Sequence, residues 1–140
     1  MTLSENPTQL FVYGTLRRGA GQDSNHPLLG SARLVGEARV AGCLYEVGIY
    51  SAMSVSADGN YVKGEVYEIP PQEWPRFIEK LDDYEGCSEG DPEPHDYRRE
   101  VVEAELASGK TTNAWAYVLN RPTTGLREIS SGDWLAFQGE

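Results

Sequence analysis

PPQEWPRFIEKLDDYEG, residues 70–86, is the stretch on which the reading of this chain turns. Two prolines close whatever precedes them, and Pro75 falls in a first helical turn, where its missing N–H costs nothing. Stepping ~100° per residue from Trp74 puts Phe77, Ile78, Leu81 and Tyr84 on one face. Glu85 lands in the middle of that face, whereas Arg76, Glu79, Asp82 and Asp83 lie on its flanks or the far side. Gly86 suits a terminator in the left-handed conformation. The spacing predicts a short helix over 70–86 whose last turn points one carboxylate where the apolar side chains point, with Asp82 and Asp83 as bystanders.

Two readings of Glu85 follow. Pointing inward, it meets the negative end of the helix dipole and loses hydration, and both effects raise its pKa. A carboxyl group so raised can act as a general acid or base near neutral pH. Fraying of the last turn instead leaves an ordinary surface acid. The wheel alone leaves both open.

The 140 residues match about one domain, with 39% hydrophobic and 10% aromatic residues. Twelve basic residues against 22 acidic ones give a net charge of −10, which speaks against nucleic acid or an anionic membrane as partner. A small anionic ligand is still compatible, because a nest of backbone N–H groups acts locally. No apolar run reaches the ~18 residues of a membrane span, and MTLSENPTQL lacks the features of a signal peptide. The expectation is a soluble, cytoplasmic protein. Cys43, Cys87, His26 and His95 are scattered singly, which gives no zinc signature and no metal site. A disulfide between the cysteines runs against a reducing compartment, and a thiolate at Cys87 runs against its place at a helix C-terminus.

Along the chain, 9–13 (QLFVY) reads as a strand that Gly14 breaks. The turn through Gly14, Thr15, Leu16, Arg17, Arg18 and Gly19 either presents converging N–H groups to an anion or is a plain strand-to-loop turn. Residues 25–29 (NHPLL) read as a connector, with His26 at the surface or capping it. Residues 32–40, 43–47, 52–56 and 61–69 read as short strands punctuated by Gly36, Gly42, Gly48 and Asp58-Gly59. A spacing of about ten residues favours antiparallel strands over β-α-β units. Gly64, inside the last of these strands, marks a bulge or a close backbone approach.

The polar segment CSEGDPEPHD, 87–96, is a loop that either covers a pocket or lies idle at the surface. Strands at 97–106 and 111–119 flank the hairpin signal Ser108-Gly109-Lys110. In the second strand Ala114, Ala116 and Val118 alternate with Trp115, Tyr117 and Leu119, so both faces are apolar and the strand is central. Tyr117 is then buried and its hydroxyl needs a partner. The tail 130–137 reads as a capped turn packing Trp134 and Phe137 on the body. Six or seven strands and one inserted helix predict a single α+β domain over 1–140 whose sheet curls or closes into a small barrel.

FVYGTLRRG near the N-terminus, LDDYEG about seventy residues on, the YRR strand, AWAYVL and ISSGDW occur here in one order and spacing. In that combination the chain resembles the gamma-glutamyl cyclotransferase-like family over nearly its whole length. The resemblance implies a small barrel of mixed, mostly antiparallel strands with flanking helices. It implies release of 5-oxoproline from gamma-glutamyl compounds, without metal or other cofactor. The pocket would lie between Tyr13, Gly14, Thr15 and Leu16 on one side and Glu85 on the other. The loop N–H groups would hold the glutamyl carboxylate, Glu85 would be the acid/base, and Ser51 and Tyr117 would complete the substrate-binding set.

Where members often carry Tyr-Pro-Ala, this chain has Tyr50-Ser51-Ala52. Its length is closer to the gamma-glutamylamine branch than to the longer glutathione-specific branch. Glu89, Asp91, Glu93 and Asp96 would select against acidic leaving groups such as the cysteinylglycine half of glutathione. A rival from another class is a non-catalytic module that binds an amino acid or carboxylate in the same pocket, with Glu85 fixing an amine.

Overall fold

The computed structural model describes residues 8–13, 32–47, 50–56, 59–85, 95 and 97–134, less the side chains of Tyr50 and Tyr84. Among these the elements follow as β1 (Gln9–Val12), β2 (Arg33–Val47), β3 (Tyr50–Val55), β4 (Tyr61–Glu68), α1 (Trp74–Glu85), β5 (Tyr97–Leu106), β6 (Thr111–Leu119) and β7 (Arg127–Glu128). The sheet runs β1-β4-β2-β3-β6-β5, and a parallel β1–β6 pairing at Leu10↔Trp115 closes five of these strands into a barrel. A second parallel pairing joins Met53 on β3 to Val118 on β6, and all the others are antiparallel. β5 returns to β2 at Ala38↔Leu106.

One expectation is corrected here. The strands read at 32–40 and 43–47 are a single strand of 15 residues, β2, which runs straight through Gly42. Residues 33–41 of β2 pair with β4, and residues 42–47 pair with β3. A Cβ at Gly42 would lie 2.4 Å from the Ser54 carbonyl oxygen, so this glycine admits a close strand rather than ending one. The two-residue β7, which pairs with β2 at Tyr45↔Glu128, was not foreseen.

Alternation along the strands makes two apolar layers. Phe11, Val40, Leu44, Val66, Ala116 and Val118 belong to the cluster that fills the barrel. Leu10, Val12, Tyr67 and Tyr117 point the other way and meet Trp74, Phe77, Ile78 and Leu81 of α1. Both faces of β6 are therefore covered, as its sequence required. Fully burying a side chain such as Phe11 or Leu81 contributes about 1.5–3 kcal/mol.

The helix begins where the N–H groups of Glu73 and Trp74 donate to the Pro70 carbonyl, 2.9 and 3.1 Å. Pro75 then sits in its first turn. The C-terminal segment is tied down by Ile129 N–H to Leu44 O (2.7 Å) and by Lys63 N–H to Gly132 O (2.8 Å), which leaves Trp134 buried in the barrel cluster. Phe137 lies outside the described residues.

Gly64 is the tightest point of β4. A Cβ there would stand 2.2 Å from the Val12 carbonyl oxygen and 2.8 Å from the Phe11 ring, just before the end of β1. Gly64→Ala should destabilise the protein by about 1–3 kcal/mol through forced strand separation. Gly36→Ala, which meets nothing within 4 Å, should stay within about 0.5 kcal/mol of wild type. Urea denaturation of both variants measures the difference, and equal effects would refute the close-approach account.

Candidate active site

The last turn of α1 carries Asp82, Asp83 and Glu85 and no basic residue, so like charges gather at the negative end of the helix. Asp83 is exposed and hydrated, whereas Glu85 is part-buried. Burial, and secondarily the Asp82 charge, raise the Glu85 pKa from 4.5 to about 7. Of the two readings the sequence left open, the placement of Glu85 favours the inward one.

Asp82 lies one turn earlier on the same side, since residues three apart are helix neighbours. It is far from a bystander. Its Oδ1 accepts from the Tyr117 hydroxyl at 2.7 Å, and Arg99 reaches it through both Nε (3.0 Å) and Nη2 (3.1 Å). Arg99 and Tyr117 are direct cross-strand partners in the β5–β6 ladder, and the Arg99 guanidinium lies 4.8 Å from the centroid of the Trp115 ring. The side chains of this ion pair are 28% and 20% exposed, so solvent screens it only in part.

Tyr13 follows β1 directly and is buried against Phe11, with ring centroids 6.1 Å apart. Its hydroxyl donates to the Tyr117 carbonyl at 2.5 Å and accepts from the Met53 N–H at 3.2 Å. Burial first, then the neighbouring Tyr97 and Glu85, push its pKa well above that of a free phenol, so Tyr13 is neutral. Ser51 is buried on β3, and its carbonyl accepts from the Tyr97 hydroxyl at 2.8 Å.

Of the residues singled out from the sequence, Tyr13, Ser51, Glu85 and Tyr117 come together where the helix end meets β1, β3 and β6. Gly14, Thr15 and Leu16 lie outside the described residues, as do Cys87, Glu89, Asp91, Glu93 and Asp96. Sequence reasoning missed Asp82, Tyr97 and Arg99. A signal for two of them was present: alternation along 97–106 puts Tyr97 and Arg99 on the face opposite Val102 and Ala104, the face that α1 covers.

An open depression runs outward from this network, lined by Asp82, Tyr97, Arg99 and Trp115 and edged by His95, Arg98 and Asn120. Arg98 Nη1 donates to the Leu119 carbonyl (3.1 Å) and Asn120 Nδ2 to the His95 carbonyl (3.0 Å), which fixes that edge. Among the described residues no three His, Cys, Asp or Glu side chains gather as a metal site, and no helix is long and apolar enough to cross a membrane. A carboxyl group with a pKa of about 7 beside the neutral Tyr13 phenol and a clamped second carboxylate is equipped for proton transfer.

A comparison with proteins of known family gives the same direction. YtfP of Escherichia coli strain K12, a gamma-glutamylcyclotransferase family protein, is 34% identical over 128 residues, covering 91% of this chain and 96% of YtfP. The gamma-L-glutamyl-butirosin B gamma-glutamyl cyclotransferase of Niallia circulans is 32% identical over 133 residues, covering 92% of this chain and 76% of that protein. The solution NMR structure of ytfP from Escherichia coli superposes with a TM-score of 0.59 at 28% identity, over 93% of this chain and 98% of that one. YkqA from Bacillus subtilis gives 0.67 at 29% identity over 95% of this chain, which spans only 43% of YkqA. The family model described as gamma-glutamyl cyclotransferase, AIG2-like, matches residues 10–136, from β1 past the turn that carries Trp134. With its barrel, its helix end and nearly its whole length so matched, the chain belongs to the gamma-glutamyl cyclotransferase, AIG2-like family.

Proposed function

We propose that the protein is a gamma-glutamyl cyclotransferase acting on a gamma-glutamyl amine or amino acid, releasing 5-oxoproline and the free amine, with Glu85 as general acid/base. The observation that carries the reading is a part-buried carboxyl group whose pKa is raised to about 7, placed beside Tyr13 and Asp82. The butirosin relative, whose name specifies a gamma-glutamyl compound, supports the substrate class.

The substrate brings its own nucleophile. Its α-ammonium gives a proton to the Glu85 carboxylate, and the freed amine attacks the side-chain carbonyl carbon and closes a five-membered ring. The bond from that carbon to the departing nitrogen then breaks as Glu85 returns the proton to it; the ring nitrogen gives its second proton to the Glu85 carboxylate as the lactam forms, and that proton passes to the released amine, which leaves as an ammonium ion. Nothing else is consumed. Folding the substrate into the cyclising pose is worth an effective molarity up to ~10⁵ M or more. The proton shuttle adds about 10²–10⁴-fold.

The backbone N–H groups of Gly14, Thr15 and Leu16 hold the α-carboxylate in this reading, an assignment supported by the YGTL motif. Ser51 and Tyr117 shape the wall beside it. The depression edged by His95, Arg98 and Asn120 receives the leaving amine, and the acids of 87–96 disfavour an anionic one. No cofactor takes part, and the partner is a small molecule. In keeping with its composition the protein works in the cytoplasm.

Incubation with gamma-glutamyl amines, gamma-glutamyl amino acids and glutathione, with 5-oxoproline detected by mass, tests the activity. Turnover of gamma-glutamyl-lysine above glutathione is expected. Tight binding of these compounds with no product would favour the non-catalytic module instead. Glu85→Gln keeps the shape and loses the charge, and should lower kcat by about 10²–10⁴-fold; full activity in that variant would sink the assignment.

The same carboxyl group leaves a mark on stability. With a folded pKa of about 7 against 4.5 unfolded, the native state holds the extra proton between those values, so stability falls as pH rises from about 4.5 to 7. Glu85→Gln removes that fall. The variant should match wild type near pH 4.5 and exceed it by on the order of 2 kcal/mol at pH 8. Urea denaturation across that range measures the divergence, and parallel curves would refute it.

A further inference from the structure

We propose that Asp82 is a positioning residue for the proton shuttle: clamped by Arg99 and Tyr117, it fixes the last turn of α1 and so holds Glu85 at the site. The proposal rests on the reading of Glu85 given above. An acidic last turn repels itself and the helix dipole, so left alone it unwinds readily. Arg99 supplies from β5 the cation that the turn lacks. Its two nitrogens match the two Asp82 oxygens in a bidentate pair, which sets orientation as well as distance. Tyr117 adds a third donor from β6.

Two of these donors come from residues directly opposite each other in the β5–β6 ladder, so their separation is set by strand pairing rather than by a mobile loop. Tyr117 then works at both ends. Its hydroxyl holds the helix through Asp82, while its carbonyl accepts the Tyr13 hydroxyl next to β1. The helix end and the start of the YGTL motif are thus fastened to one residue. With three donors converging on it, Asp82 is occupied as an acceptor, which leaves Glu85 to serve the substrate.

The groups that act on Glu85 among the described residues are Asp82 from its own helix and Tyr13 beside β1, while Arg99 from β5 and Tyr117 from β6 bond Asp82, and Tyr97 from β5 acts on Tyr13. Asp82 raises the Glu85 pKa, after burial. The loss of Asp82 and the loss of its counter-ion both free the last turn, and Glu85 then loses the burial that is the largest cause of its raised pKa.

The test uses the full-length protein with Glu85 titrated by ¹³C NMR at its side-chain carboxyl, which needs no substrate, alongside kcat and KM on a turned-over gamma-glutamyl compound. Asp82→Asn should move the Glu85 midpoint to lower pH and cut kcat about 10- to 100-fold with little change in KM. Arg99→Met, which frees the same turn and so exposes Glu85, should also move the midpoint to lower pH and cut kcat, and Arg99→Lys should restore part of both. Tyr117→Phe, which keeps the ring in its layer, should cut kcat several-fold and serves if Asp82→Asn does not fold. A Glu85 midpoint unmoved in Asp82→Asn, or raised rather than lowered in Arg99→Met, would overturn the proposal, as would an unchanged kcat in Tyr117→Phe. A wild-type protein that turns over no gamma-glutamyl compound would defeat the reading of the activity, while the NMR midpoints would still decide the role of Asp82.

Discussion

A strand with apolar side chains on both faces has to be covered twice, and β6 imposes that demand on the rest of the chain. Ala114, Ala116 and Val118 line the barrel, and Trp115 and Tyr117 face the helix layer. The sheet meets the first demand by closing on itself, β1 pairing with β6 in parallel. The small alanines leave room for Phe11 and Trp134 in the same interior, where a closed ring of five strands holds few large side chains. Helix α1 meets the second demand, and its apolar stripe is anchored by Leu81 with no exposed surface. Because that stripe has to lie on Tyr117 and Trp115, the end of the helix is delivered to the place where β1, β3, β5 and β6 converge. The position of the site follows from the covering of one strand.

What the helix end then carries is an electrostatic conflict relieved for all of its acids but Glu85. Asp82 is compensated by Arg99 and Tyr117, and Asp83 is exposed. Glu85 has burial and the Asp82 charge against it, and its raised pKa records the conflict. A group whose charge is made costly in an otherwise well-paired neighbourhood is the kind of local inconsistency that marks a working site rather than a stabilising one. On the proposed chemistry, neutralising it should make the fold more stable and the reaction slower, which is the ordinary trade between stability and activity.

Much of this was legible in the residues. The bounds of β5 and β6 could be read because each is a run rich in valine and aromatic residues and Ser108-Gly109-Lys110 separates them. The inward carboxylate came from the helical wheel, and the need of Tyr117 for a hydroxyl partner came from the burial of its strand. The identity of that partner did not, because a wheel gives the angle of Asp82 about its own axis and says nothing about which strand stands across from it. Gly42 misled for a related reason: glycine weakens a strand locally, but two-sided pairing with β4 and β3 carries β2 through it. The two-residue β7 has no period to detect and exists through its pairing with β2. Local pattern fixes an element's faces, and contact between distant elements fixes its neighbours.

On the proposed chemistry, the division of labour within the site follows from the substrate. Every gamma-glutamyl compound offers the same reacting half: one amine, one carboxylate and one acyl carbon at a set distance. The protein groups around that half are accordingly the rigid ones, with Tyr13 held from two sides and Tyr117 engaged through both its hydroxyl and its carbonyl. The leaving amine is the half that varies between substrates. It would lie toward the depression edged by His95, Arg98 and Asn120, where the Arg98 side chain is 53% exposed. A site built this way can hold its reaction fixed while its edge is altered, because His95, Arg98 and Asn120 take no part in the hydrogen bonds that position Glu85, although Asp82 and Arg99 also line the depression.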